Sequence, residues 1–102
     1  MWDDIQRLHV YHGDVPVQVQ VLKLAEEVGE AAEALIGVEG LNARKGICHT
    51  WQDVLDELTD VIITAAVAMC AIAGGEADQA RGHFERRLDI VTARAGLRPG
   101  PG

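Results

Sequence analysis

Two acid pairs are the residues in this chain best placed to do chemistry. In Glu26-Glu27-Val28-Gly29-Glu30, Glu27 and Glu30 stand three residues apart, and Glu57-Leu58-Thr59-Asp60 repeats that spacing. Residues three apart in a helix lie on one side, about one turn from each other. Like charges at that spacing repel by roughly a few tenths of a kcal/mol. If the two pairs meet, four carboxylates converge and need a cation. All-oxygen donor sets suit hard divalent ions, Mg²⁺ first, with Mn²⁺ as a substitute. Neither motif has the Glu-x-x-His form used by di-iron bundles, so iron is disfavoured.

Four helical segments would position these acids. The first is expected over Asp3–His12 and stops at the turn cluster Gly13-Asp14-Val15-Pro16. The second runs from about Val17 to Ile36, with Gly37 and Gly40 at its end. Its apolar residues Val21, Leu24, Val28, Ala31, Ala32 and Leu35 follow helical spacing. Lys23, Glu26, Glu27, Glu30 and Glu33 share an arc of ~120° on it. A loop carrying Arg44 and Lys45 follows. Thr50 then reads as an N-cap, with Asp53 completing a capping box. The third helix spans Trp51–Ala73 and the fourth Glu76–Ala95, with Ala80, Phe84, Leu88 and Val91 on one face. Residues 1–96 thus read as one all-α domain, a helical bundle, and residues 97–102 as a Gly/Pro-rich tail.

The third helix changes character along its length. After Asp60 no charged residue appears until Glu76. A segment apolar on every side is expected to be buried on every side, within the bundle or between copies of the chain. Glu57 and Asp60 stand at the edge of that dry region, where carboxylates are costly unless paired or metal-bound. The acidic stripe of the second helix, taken alone, fits a solvated face better than a metal site.

Composition sets further bounds. The 102 residues suffice for one domain with a modest core. A net charge of −7 argues against a nucleic-acid duplex as partner, since phosphate binding needs a basic footprint. A nucleotide brought in with a metal ion remains compatible. Met1-Trp2-Asp3-Asp4 is neither basic nor followed by an apolar run, so no leader is expected, and no segment is a convincing membrane span. Cys48 and Cys70 lack any close spacing and fit reduced thiols of a cytoplasmic protein. His9 and His12 stand three apart without a third ligand nearby, which fits a solvated helix.

Lys23-Leu24-Ala25-Glu26-Glu27-Val28-Gly29-Glu30, followed by Asp56-Glu57-Leu58-Thr59-Asp60-Val61, resembles the E-E-x-x-E … E-x-x-D pattern of the MazG-type all-α nucleoside triphosphate pyrophosphohydrolases. Phe84-Glu85-Arg86-Arg87 resembles the F-x-R-R stretch of the same family. The resemblance implies Mg²⁺-dependent hydrolysis of a nucleoside triphosphate to monophosphate and pyrophosphate, in the service of nucleotide-pool house-cleaning. It implies Glu27, Glu30, Glu57 and Asp60 as metal ligands, and a homodimer or homotetramer. Glu26 fills the leading acid of the pattern and is the expected acceptor of a proton from attacking water. Phosphate contacts are expected from Lys23, Arg44, Lys45, Arg86 and Arg87, and Trp51 is placed to stack on a base. Two other readings stay open: a phosphoribosyl-ATP pyrophosphohydrolase, and a non-catalytic helical interaction module.

Overall fold

The structure is a computed structural model that describes residues 1–41 and 46–99. Its described residues form four helices and no strand: α1 (Trp2–His12), α2 (Val17–Glu39), α3 (Trp51–Ile72) and α4 (Ala77–Arg94). The helix boundaries follow local chemistry. Pro16 is the residue before the first turn of α2, where its missing N–H costs nothing. Helix α2 passes through Gly37 and ends one turn later. Gly40 there adopts a left-handed φ of 66°, and the Leu41 N–H reaches back to the Ile36 carbonyl at 3.1 Å.

Helix α3 begins with the expected capping box. The Asp53 N–H donates to Thr50 Oγ1 at 3.2 Å, and the Thr50 N–H donates to Asp53 Oδ2 at 2.9 Å. Such a cap stabilises a helix start by about 1 kcal/mol. Between α2 and α3 the chain crosses close to the last turn of α2. The Cys48 N–H donates to the Gly37 carbonyl at 3.0 Å, and a side chain at Gly37 would run into the His49 ring. Gly37 is therefore where backbone and loop must approach each other.

Helices α2 and α3 pair along most of their length and run antiparallel. Helix α1 packs on α3 and on α4, and its backbone stays apart from that of α2. The core lies where α1, α3 and the start of α4 meet, around Ile5, Ala66, Val67, Cys70 and Ala77, with Trp2, Leu8 and Ile63 against it. Gln6 ties these elements together. Its Nε2 donates to the Gly75 carbonyl at 2.7 Å, and its Oε1 accepts from the Ala77 N–H at 2.9 Å. The second bond satisfies an orphan donor in the first turn of α4, whose own N-cap side chain makes no such bond. Helix α4 leaves α3 at a bend of 114°. No single helix among the described residues is long and apolar enough to cross a membrane.

Burial within the single chain is partial. The charge-free half of α3 is not covered on all sides by the chain's own described residues. Ala66, Val67, Ala68 and Cys70 are buried, whereas Ile62 and Ile72 remain exposed. Among the described residues, α1, α2 and α4 all pack on α3, yet together they leave these side chains uncovered. On α4, Ala80 is buried but Phe84, Leu88 and Val91 are exposed. The first turn of α1 meets α4 at the Trp2–Phe84 ring contact, centroids 6.0 Å apart.

Candidate metal centre

Antiparallel pairing sets the two acid motifs opposite each other. Each of Glu27, Glu57 and Asp60 offers a carboxylate oxygen, and these oxygens lie within 4.8 Å of one another. Glu27 belongs to the side of α2 that meets α3, in register with buried Gln20 and Ala34. Glu57 occupies the corresponding side of α3, where both acids are half-buried. Helical periodicity thus splits the acidic arc of α2. Glu27 turns toward the partner helix, while Glu26, Glu30 and Glu33 stay exposed. Glu30, expected as a fourth ligand, is not among the three converging carboxylates, although its charge acts on Glu57.

The electrostatics express this crowding. The Glu57 carboxyl is pushed above its ordinary 4.5, first by loss of solvent, then by its neighbours Glu30, Asp60 and Glu27. Glu27 is raised above the same value, again chiefly by desolvation, then by Glu30 and Asp60. Lys23 pulls it back down, and Glu26 adds a smaller upward push. Glu57 Oε2 is buried and has no hydrogen-bond partner among the described residues. An unpaired buried carboxylate oxygen facing other carboxylates is the arrangement a cation relieves. The donor set is oxygen only, which fits Mg²⁺ or Mn²⁺ better than a thiophilic or imidazole-seeking metal.

The other expected site residues are placed as follows. Lys23 is exposed one turn before Glu27 and within its field. Trp51 is exposed at the start of α3, about 9 Å along the axis from Glu57. Arg86 lines a groove with Met69 and Ile72 at the far end of α3, and Arg87 is exposed beside it. Met69 is nine residues beyond Asp60, about 13 Å along the helix, so a single chain does not bring these arginines to the acids. Arg44 and Lys45 lie outside the described residues. Cys70 is fully buried in the core, and burial, with Glu76 adding to it, holds its thiol above the ordinary value.

One polar residue that the motifs do not single out sits close by. Gln20 is 8% exposed, on the same side of α2 as Glu27 and two turns before it. Its presence among Leu24, Ala31 and Ala34 on the α3-facing stripe was the available signal: a neutral polar side chain where packing favours an apolar one. Comparison with protein-family models, with curated proteins and with solved structures finds no match to this chain.

Proposed function

We infer that this protein is a Mg²⁺-dependent nucleoside triphosphate pyrophosphohydrolase that releases nucleoside monophosphate and pyrophosphate. The observation that carries the reading is the convergence of Glu27, Glu57 and Asp60 around a buried, unpartnered Glu57 oxygen. The resemblance of the two acid motifs to the MazG-type pyrophosphohydrolases supports it. In this reading Glu27, Glu57 and Asp60 hold the ion, and Glu30 completes the ligand set from beside Glu57. A bound divalent cation would screen the triphosphate charge and lower the pKa of a water directed at the α-phosphorus.

The remaining work falls to the chain's own groups. Glu26 is an exposed carboxylate next to the ligand Glu27, free to take the proton of the attacking water. Lys23 meets phosphate oxygens from one turn away. Arg44 and Lys45 belong to the loop that joins the two motif-bearing helices, and they add positive charge to it. The protein acts on small nucleotides in the cytoplasm as a homo-oligomer, with no nucleic-acid duplex as partner.

The test is a panel of natural and modified nucleoside triphosphates, with phosphoribosyl-ATP included, assayed with and without Mg²⁺. Pyrophosphate should appear only with the metal. Orthophosphate as the first product would overturn the assignment. Glu26→Gln should lose turnover while keeping Mg²⁺ affinity; full turnover would remove Glu26 from the base role.

A further inference from the structure

The 114° bend between α3 and α4 leaves a cleft of about 550 Å³ between the two helices. That volume falls within the roughly 300–1,000 Å³ of small-molecule sites. Met69 and Ile72 of α3 line one side, and Ala80, His83 and Arg86 of α4 line the other. The cleft stands apart from the acid centre, since Met69 is about 13 Å along the helix from Asp60. The chain carries a net charge of −7, yet this stretch of α4 leaves a cation unpaired. Glu85 is paired with Arg81 at 3.0 Å, and Asp89 is paired with Arg98. Those are the acids nearest Arg86 in sequence, and both are engaged elsewhere. Arg86 has no carboxylate partner among the described residues. His83 stands three residues before it, one turn away on the same side. Asp78, which also lines the cleft, is eight residues from Arg86, about 12 Å along the axis, and in the field of Arg81. Gly82 accounts for where the guanidinium lies. Its backbone is helical, so no left-handed turn demands a glycine there, and glycine costs a helix interior about 1 kcal/mol. A methyl group at Gly82 would come within 3.2 Å of Arg86 Nη1. The guanidinium thus lies back along α4, over Gly82, on the wall of the cleft.

We propose that this cleft is a second ligand site, separate from the acid centre, for a small phosphate monoester with an apolar body. Arg86 and His83 hold the phosphate, and Met69 and Ile72 receive the body. The site does not depend on the pyrophosphohydrolase reading. Charge selects the head group. An unpaired guanidinium offers a fork of donors that matches two phosphate oxygens, and its bonds to an anion are the stronger kind. His83 can donate an N–H to a third oxygen whether its ring is neutral or protonated. A phosphate monoester carries close to two negative charges near neutral pH, so the same guanidinium attracts it more strongly than a carboxylate. The other wall selects the body. Ile72 is 66% exposed and Met69 is half-buried, so an apolar body laid on them removes apolar surface from water. The Met69 thioether also suits the edge of an aromatic ring. Free phosphate gains nothing from this wall.

The test needs no turnover. Methyl NMR spectra of the full chain in chelator are followed while phenyl phosphate, benzoate, inorganic phosphate or phenol is added. Phenyl phosphate should give saturable shifts at the Met69 and Ile72 methyls. It should bind at least ~10-fold tighter than each of the other three probes. Arg86→Ala, at an exposed position, should weaken phenyl phosphate by ~10-fold or more. Gly82→Leu should also weaken it by displacing the guanidinium; if that variant fails to fold, Arg86→Ala still decides. Glu57→Gln should leave the affinity unchanged. No saturable shift at Met69 and Ile72, or full affinity in Arg86→Ala, overturns the proposal. So does equal binding of benzoate or of inorganic phosphate, which would remove the selectivity argued for head group or body. Loss of binding in Glu57→Gln overturns it as well, by assigning the phosphate to an acid centre. None of these outcomes turns on triphosphate hydrolysis, so the enzyme reading stands or falls by its own assay.

Discussion

At the residue scale, Glu57 illustrates how a side chain suited to function works against stability. It sits among Glu27, Glu30 and Asp60, partly removed from water, with one oxygen unpartnered. Glu57→Gln keeps the shape and removes a charge. Without metal, this variant should melt at or above the wild-type temperature, because like-charge crowding is relieved. Its Mg²⁺ affinity should fall by about 10- to 100-fold or more, measured by calorimetric titration. A lower melting temperature together with unchanged Mg²⁺ binding would contradict the role given to Glu57. The pH dependence follows the same logic. Glu27 and Glu57 have native pKa values above the ordinary 4.5 that they regain on unfolding. As pH falls through the raised native values, the native state binds protons before the unfolded chain does. Metal-free protein should therefore gain stability on acidification from neutral pH down to about 4.5. Asp53 works in the opposite sense. The Thr50 N–H, then the His49 and Thr50 side chains, hold it below its ordinary 3.8, so its contribution is present above that value and lost as pH falls through the native one. Saturating Mg²⁺ should abolish or reverse the gain above pH 4.5, since metal and protons compete for the same oxygens. Melting curves in chelator and in Mg²⁺ across this range check both signs.

At the element scale, the α2–α3 hairpin does the positioning, and its return loop sets the register. Gly37 is the tightest point, since a methyl group there would collide with the His49 ring and meet Cys48 Sγ. Gly37→Ala gains helix propensity but overpacks this crossing, with an expected net loss of about 1–3 kcal/mol in urea unfolding. Thr50→Ala removes one half of the capping box and should cost about 1 kcal/mol. If Gly37→Ala were neutral, the close crossing would not be fixing the register. Much of this scale was legible in the residues. Thr50 and Asp53 have the side chains and spacing of a cap, and Gly40 is the kind of residue a left-handed helix end requires. Gln6 was not legible. Its two bonds to Gly75 and Ala77 join residues about seventy positions apart, and no local pattern marks a glutamine for that task.

At the scale of the whole molecule, the chain is flat and open. Its dimensions are 51 × 41 × 21 Å, and its radius of gyration is 16.7 Å, against about 13 Å for a compact domain of this length. Its accessible surface is 7280 Å², against roughly 5,600 Å² for a folded monomer of its mass. Exposed apolar side chains contribute to it. Val21, Val28 and Leu35 of α2 join Leu58, Ile62 and Ile72 of α3 on the side of the hairpin away from the acids, each 41–66% exposed. An excess on the order of 1,500 Å² exceeds the ~800 Å² that each partner buries in a standard interface. Sedimentation should accordingly report more than one 11.0-kDa chain per particle. Ile62→Asp, on the exposed flank of α3, should dissociate it by placing charge in the interface. A monomeric wild type would exclude a homo-oligomer formed through this face.

Taken by itself, the sequence determined the helices, their caps and the pairs of acids, because helix periodicity and capping depend on residues within a few positions. It also marked Glu57 and Asp60 as the last charges before a dry segment. Tertiary structure decided what distance in the chain conceals. Pairing of α2 with α3 selected Glu27 from the acidic arc and set it against Glu57 and Asp60, because a rotation of one residue about the helix axis exchanges an interface position for a solvated one. The same pairing, with the backbone of α1 held apart from that of α2, left a cavity lined in part by Gln20. Arg86 and Arg87, plausible phosphate ligands by type, were carried to the other end of α3 by the 114° bend after it. Where a side chain falls relative to residues thirty positions away depends on packing, and no local spacing encodes it.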